Sequence, residues 1–374
     1  MVVRYLPLIA MLGLLPSLAA CSEQPAAPAP LSEAALAAVT KEAAAPRDQL
    51  AREVDDLFTK PELGETRAVV IMNGGRIAAE RYAPGYDAET RFVSWSMAKT
   101  VTAVMIGMLV ADGRLRLDES PPVPHWQRPG DPRGEITLRQ LLQMRAGLEH
   151  TEAGDPPYKS SEVRMLFLDG RDDMAAWAEA QPLEAEPGAQ FEYSSNTTVI
   201  LADIAARVLT TSDDPDTRRR AVDDYLRARV FAPLAMDSMI AEYDASGTLI
   251  GGSLMHGTAR DWARFGEFLR NKGSYRGSQL VPRRWIEFMT NPSPRSPHYG
   301  GQTWLNRPTG EREHPLFPDR APPSVFAAIG HMGQYVIVAP EQRVTVVRLG
   351  HSDAPQRRVL LQELADVLAL YPVR

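Results

Sequence analysis
A chain of 374 residues is long enough to bury a core as one large domain or two modest ones, and its apolar and charged fractions are those of a globular protein. A formal charge of −6 gives no footprint for nucleic acid: the basic runs at Arg218-Arg219-Arg220 and Arg283-Arg284 are short, and acids flank the first. A single cysteine excludes an internal disulfide, and seven scattered histidines have no metal-ligand spacing, so neither metal nor other cofactor is expected.

Arg4 precedes an apolar run over 6–20, the length of a secretory leader core and too short for a comfortable membrane span. The run ends Leu18-Ala19-Ala20-Cys21, which resembles the bacterial lipobox, where the cysteine is acylated and becomes the first mature residue. The expectation is a signal peptide over 1–20 and a lipid anchor at Cys21 holding the protein to a membrane in the periplasm. By the same resemblance Ser22, standing where an aspartate would retain the protein, favours the outer membrane. Residues 21–47 read as an Ala/Pro-rich linker with one helical stretch around 31–45, and a single catalytic domain is expected over 48–374.

Within that domain a helix is predicted over 49–58. Short apolar runs at 67–72 and 76–82 flank Asn73-Gly74-Gly75 and predict a hairpin. A helix over about 97–111 is stopped by Asp112-Gly113. From 137 to 234 polar and proline-rich loops alternate with helical patterns, clearest at 138–144 and 198–209. The period changes to short β-branched runs at 325–329, 335–339 and 344–349, followed by an amphipathic helix over 357–371. Strands near both ends with helices between them predict an α+β fold. Its antiparallel sheet is built from both chain termini and flanked by helices, with a mainly helical subdomain inserted.

A serine becomes a useful nucleophile only beside a base. Ser96-Met97-Ala98-Lys99 sets a serine and a lysine three residues apart at the start of a helix, on one face, with free backbone N–H groups at the helix end. A lysine with an ordinary pKa of about 10.4 would stay protonated, so a lysine base requires burial or neighbouring cations to lower that value. Taken alone the pair also fits a capping serine and a surface lysine. A competitor, Gly350-His351-Ser352-Asp353-Ala354, mimics a nucleophile elbow, but no histidine follows Ser352 and Ala354 replaces the last glycine. It reads instead as the turn and cap before the final helix.

Two further segments extend the set: Tyr193-Ser194-Ser195-Asn196 ahead of a predicted helix, and Gly330-His331-Met332-Gly333-Gln334-Tyr335 opening an apolar strand. With Ser96 and Lys99 they resemble the three boxes of penicillin-recognising serine enzymes: Ser-x-x-Lys, Tyr-x-Asn and Lys/His-x-Gly. Their order and spacing are similar to the branch containing class C β-lactamases, D-aminopeptidases, related esterases and nylon-oligomer (6-aminohexanoate-dimer) hydrolases, as are the stretches 136–148 and 251–266. The resemblance implies the β-lactamase/transpeptidase-like fold and an acyl-Ser96 intermediate, with Lys99 and Tyr193 sharing the general-base work. It implies an oxyanion hole from the backbone N–H groups of Ser96 and Gln334, and a substrate-facing strand carrying His331 and Gly333. Protonated His331 is expected to add a second cation beside Tyr193. The asparagine role falls to Ser195 or Asn196, and Trp304 either lines the pocket or packs at its rim. Met332 and Gln334 replace the residues that hold a substrate carboxylate, which turns the expectation toward small esters, amides or peptides. The alternative on the same scaffold is a penicillin-binding or cell-wall receptor, or a D,D-peptidase, with slow or no turnover.

Overall fold
The computed structural model describes residues 1–2, 30–310 and 314–374. Cys21 and the expected signal peptide from residue 3 onward lie outside the described residues. Helix α1 (Glu33–Ala38) is capped by Ser32, and α2 (Arg47–Thr59) follows it. Strands β1 (Glu65–Asn73) and β2 (Arg76–Tyr82) form the predicted hairpin, closed by Gly74 and Gly75 at φ 57° and 87°. That pair of left-handed residues suits the twist of a two-residue turn. After β3 (Arg91–Val93) comes α3 (Ala98–Ala111), which is apolar all round and buried along nearly its whole length. The inserted helices are α4 (Leu138–Leu142), α5 (Ser161–Phe167), α6 (Met174–Glu179), α7 (Ser195–Leu209) and α8 (Pro215–Leu226).

The chain returns through β4 (Ile240–Ala241), β5 (Met255–Thr258), α9 (Ala259–Arg270), the small hairpin β6 (Ser274–Tyr275) and β7 (Ser278–Gln279), and α10 (Arg283–Thr290). It ends with β8 (Trp304–Leu305), β9 (Phe326–Gly330), β10 (Gln334–Ala339), β11 (Val344–His351) and α11 (Ala354–Ala369). The main sheet has the order β2-β1-β11-β10-β9-β8 and is antiparallel throughout, so its centre joins the two ends of the chain. A second sheet, β3-β5-β4, flanks the start of α3.

Side chains alternate across the main sheet with period two. Val70, Val336 and Val347 join the core formed with α3, α7 and α9, while Val69, Ile337 and Val346 join the core formed with α2 and α11. Helices cover both faces, which is why these strands read as continuous apolar runs rather than as alternating ones. Gly107 in α3 admits the Trp285 ring: an added Cβ would stand 2.2 Å from Trp285 Nε1, which donates to Ala103 O at 3.0 Å.

One expectation is corrected. The later part of the 21–47 linker is part of the folded domain: Ala35, Val39 and Ala43 are buried, and Val39 bridges Ala79. The Thr40 N–H donates to Ala78 O at 2.9 Å. β2 is an edge strand, and this segment covers the edge that would otherwise present unpaired backbone groups.

Candidate active site
Ser96 sits in a tight turn, Trp95–Met97, that leads directly into α3. The turn is anchored from behind by Ser94, whose N–H donates to Met255 O at 2.7 Å and whose Oγ accepts from the Met255 N–H at 3.2 Å. Trp95 adopts φ 45°, a left-handed conformation uncommon outside glycine, immediately before the nucleophile. Gly330, the last residue of β9, presses on the same turn: a Cβ there would lie 2.2 Å from Ser94 O.

Lys99, in the first turn of α3, is 1% exposed. Its Nζ donates to Ser96 Oγ at 2.9 Å, Ser195 Oγ at 2.7 Å and Gly252 O at 2.8 Å. An ammonium has three hydrogens, and here each has an acceptor. Burial acts to lower the Lys99 pKa, but the acidic neighbours Tyr193, Glu152 and Glu162 outweigh it, and the Lys99 pKa is raised. The lowered pKa expected of a lysine base is therefore corrected: the pocket supplies neighbouring anions, not cations.

Tyr193 lies just ahead of α7, whose cap is Ser194, accepting from the Thr197 N–H at 3.1 Å. Its ring centroid lies 4.9 Å from Lys99 Nζ, and it lines the same cavity as Ser96. Burial raises its pKa, and the Lys99 ammonium opposes that rise without cancelling it. Trp304 packs against the Tyr193 ring at 5.1 Å and also lines the cavity.

Between the two asparagine-box candidates the geometry is unequal. Ser195 touches Lys99, whereas the Asn196 amide is buried without a partner among the described residues. Ser195 owes its second set of contacts to two glutamates that sequence reasoning missed. Its Oγ lies 2.6 Å from Glu152 Oε1 and 2.9 Å from Glu162 Oε1, and its N–H donates to Glu152 Oε2 at 2.7 Å. His150 Nε2 lies 2.7 Å from Glu152 Oε2.

Ser96, Tyr193 and the two glutamates line a cavity of about 670 Å³. Ser96, Glu152, Glu162 and Tyr193 form its polar floor, Val163, Leu166 and Phe167 an apolar wall, and Ile329 to Met332 the opposite wall with Arg357. Arg357, on the first turn of α11, was also missed.

The third box departs from expectation. Residues 331–333 form the turn between β9 and β10, not a strand. Gly333 faces Arg348, and the Gln334 amide donates to His331 O at 3.0 Å and Gly350 O at 2.6 Å and accepts from the Gly350 N–H at 3.0 Å. Neither residue lines the cavity. His331 stands on the rim, edge-on to Trp95, with its pKa lowered by partial burial and by the charges of Arg357 and His351. A neutral ring replaces the expected second cation. The competitor Ser352 is fully buried, donating to Leu63 O at 2.5 Å and accepting from Arg348 at 2.8 Å, with Asp353 as the cap of α11.

The sequence model of the Beta-lactamase family matches residues 62–370. A 6-aminohexanoate-dimer hydrolase of Paenarthrobacter ureafaciens is 27% identical over 258 residues, covering 64% of this chain. The matched stretch spans 61% of the length of that curated relative. Among solved structures, a Bacillus anthracis protein provisionally named a 6-aminohexanoate-dimer hydrolase is similar with TM-score 0.66 at 22% identity, over 81% of this chain and 79% of that one. A family VIII carboxylesterase is similar with TM-score 0.59 at 17% identity, over 86% and 96%. At those identities the two structures show the fold.

Proposed function
Because this chain belongs to the β-lactamase family, a family with hydrolases among its members, we propose that it cleaves an ester or amide bond of a small molecule through an acyl-Ser96 intermediate. The observation that carries this reading is the direct contact of Ser96 Oγ with Lys99 Nζ, with the Tyr193 ring 4.9 Å from that same Nζ and both Ser96 and Tyr193 lining one cavity.

In this reading Tyr193, as phenolate beside the Lys99 ammonium, takes the Ser96 proton while Oγ attacks the carbonyl carbon. The oxyanion is received by the Ser96 N–H and by a backbone N–H of the hairpin that joins β9 to β10. Tyr193 returns the proton to the leaving alcohol or amine. Water, deprotonated by the same pair, then attacks the acyl carbon and releases the acid and free Ser96. For location, we retain acylation of Cys21 and a periplasmic, outer-membrane site as proposals resting on the lipobox-like sequence. No helix among the described residues is long and apolar enough to cross a membrane.

Intact mass spectrometry after a fluorophosphonate probe is expected to give one adduct on the wild type and none on Ser96→Ala. A panel of esters, amides, D-amino-acid peptides and β-lactams then identifies the substrate, with turnover lost in the variant. A wild type that takes up no probe would sink the acyl-enzyme; one that is acylated but never turns over would support the receptor reading.

A further inference from the structure
Counting hydrogens around Ser195 leads beyond the proposed reaction. A hydroxyl offers one hydrogen and two lone pairs. Ser195 Oγ has three neighbours: Lys99 Nζ at 2.7 Å, Glu152 Oε1 at 2.6 Å and Glu162 Oε1 at 2.9 Å. Lys99 donates to it, which leaves one hydrogen for two carboxyl oxygens. Were both carboxylates ionised, one of these short contacts would set a lone pair against a negative oxygen. The arrangement is satisfied if one carboxyl is protonated and donates to Ser195 while Ser195 donates to the other.

Which carboxyl keeps the charge follows from the remaining partners. Glu152 Oε2 receives the Ser195 N–H at 2.7 Å and faces His150 Nε2 at 2.7 Å, a second donor in the tautomer that carries its hydrogen there. Glu162, on α5, hydrogen-bonds only the shared hydroxyl among the described residues. We propose that Glu152 and Glu162 are a one-proton carboxyl pair bridged by Ser195, in which ionised Glu152 positions Lys99 and fixes its charge while Glu162 holds the proton. The groups that face the pair are Lys99 from α3, His150 from the loop ahead of α5, and Tyr193 from the segment ahead of α7. Burial and the charge of Glu152 raise the Glu162 pKa. Burial opposes ionisation of Glu152 too, but His150 and Lys99 outweigh it and hold that pKa below the usual glutamate value. Both glutamates are positioning residues: they act on the nucleophile through Ser195 and Lys99. The inference rests on the acyl-enzyme reading only for its kinetic consequence.

The first test needs no substrate. In infrared spectra of the full chain at neutral pH, the difference between wild type and Glu162→Gln is expected to contain one lost carbonyl stretch of a protonated carboxylic acid. A difference spectrum is required because Glu179 and Glu192, with pKa values raised to about 8, contribute bands of their own. The second test is the pH profile of kcat/KM in Glu152→Gln. Loss of the negative charge lowers the proton affinity of Lys99, so the rising limb of the profile moves toward acid by about one pH unit. A merely structural role would lower the rate at every pH and leave the limb in place. No lost band, or an unmoved limb, overturns the pair. Should Glu162→Gln fail to fold, the Glu152→Gln profile decides alone. A chain that carries the band yet never acylates Ser96 would sink the hydrolase reading and leave the pair standing.

Discussion
Lys99 and Tyr193 are each held toward their protonated forms, the lysine by nearby negative charge and the tyrosine by burial. At neutral pH the pair therefore rests as ammonium and phenol, and neither group has a lone pair free to take the Ser96 proton. The reactive form is the pair after loss of one proton, a minor species whose share grows as pH rises. The sign follows: kcat/KM is expected to climb from neutral into the alkaline range, tenfold per pH unit on the rising limb. Tyr193→Phe removes the hydroxyl but keeps the ring against Trp304, so its effect isolates proton transfer. A fall in kcat/KM of about 10²–10⁴-fold with an unchanged melting temperature is expected for a general base. A loss of less than about threefold would assign that role to Lys99 alone.

At the scale of elements, catalysis depends on how closely the end of β9 approaches the Ser94–Met97 turn. Gly330→Ala drives a methyl toward Ser94 O, which is itself fixed in the turn that carries the nucleophile. We expect kcat/KM to fall at least tenfold with probe labelling of Ser96 slowed in proportion, while the far-ultraviolet circular dichroism keeps its wild-type shape. Equal labelling rates in both proteins would dissociate this contact from the chemistry. The same element marks where sequence reading reaches its limit. The apolar run 325–329 identified β9, yet a Lys/His-x-Gly box can be read on either side of a hairpin turn. Only the observed pairing of Gln334 with Gly330 fixes 331–333 as that turn. The first box suffered no such ambiguity, because Ser96 and Lys99 are tied by an i, i+3 spacing at the start of α3. Glu152 and Glu162 were not legible at all: one lies in an irregular loop and the other on a seven-residue helix, and only tertiary packing brings them to Lys99.

The molecule as a whole joins its ends: β1 lies beside β11 at the centre of the sheet, and α2 packs with α11 beneath it. Short apolar and β-branched runs, with helical patterns, at the two ends of the chain were enough to anticipate that arrangement. The N-terminal margin was harder to read, since an Ala/Pro-rich composition fits a tether and fits equally a short helix whose small side chains bury against a sheet edge. The distinction is thermodynamic, and deletion separates the two. A chain beginning at residue 30 keeps Leu31 against the core, Ser32 as the cap of α1 and the buried residues of this segment, so its melting temperature should match that of the full chain. A chain beginning at residue 46 loses the buried Ala35, Val39 and Ala43 and uncovers the β2 edge. Counted by buried apolar groups the cost is about 3 kcal/mol, with aggregation through the exposed strand as a second consequence. Cys21→Ala supplies the complementary arm: under a lipid anchor it should shift the protein from the membrane to the soluble fraction without moving the melting temperature. Equal stability of the two truncated chains would return residues 32–45 to the linker. Membrane retention of Cys21→Ala would remove the anchor while leaving the folded domain as described.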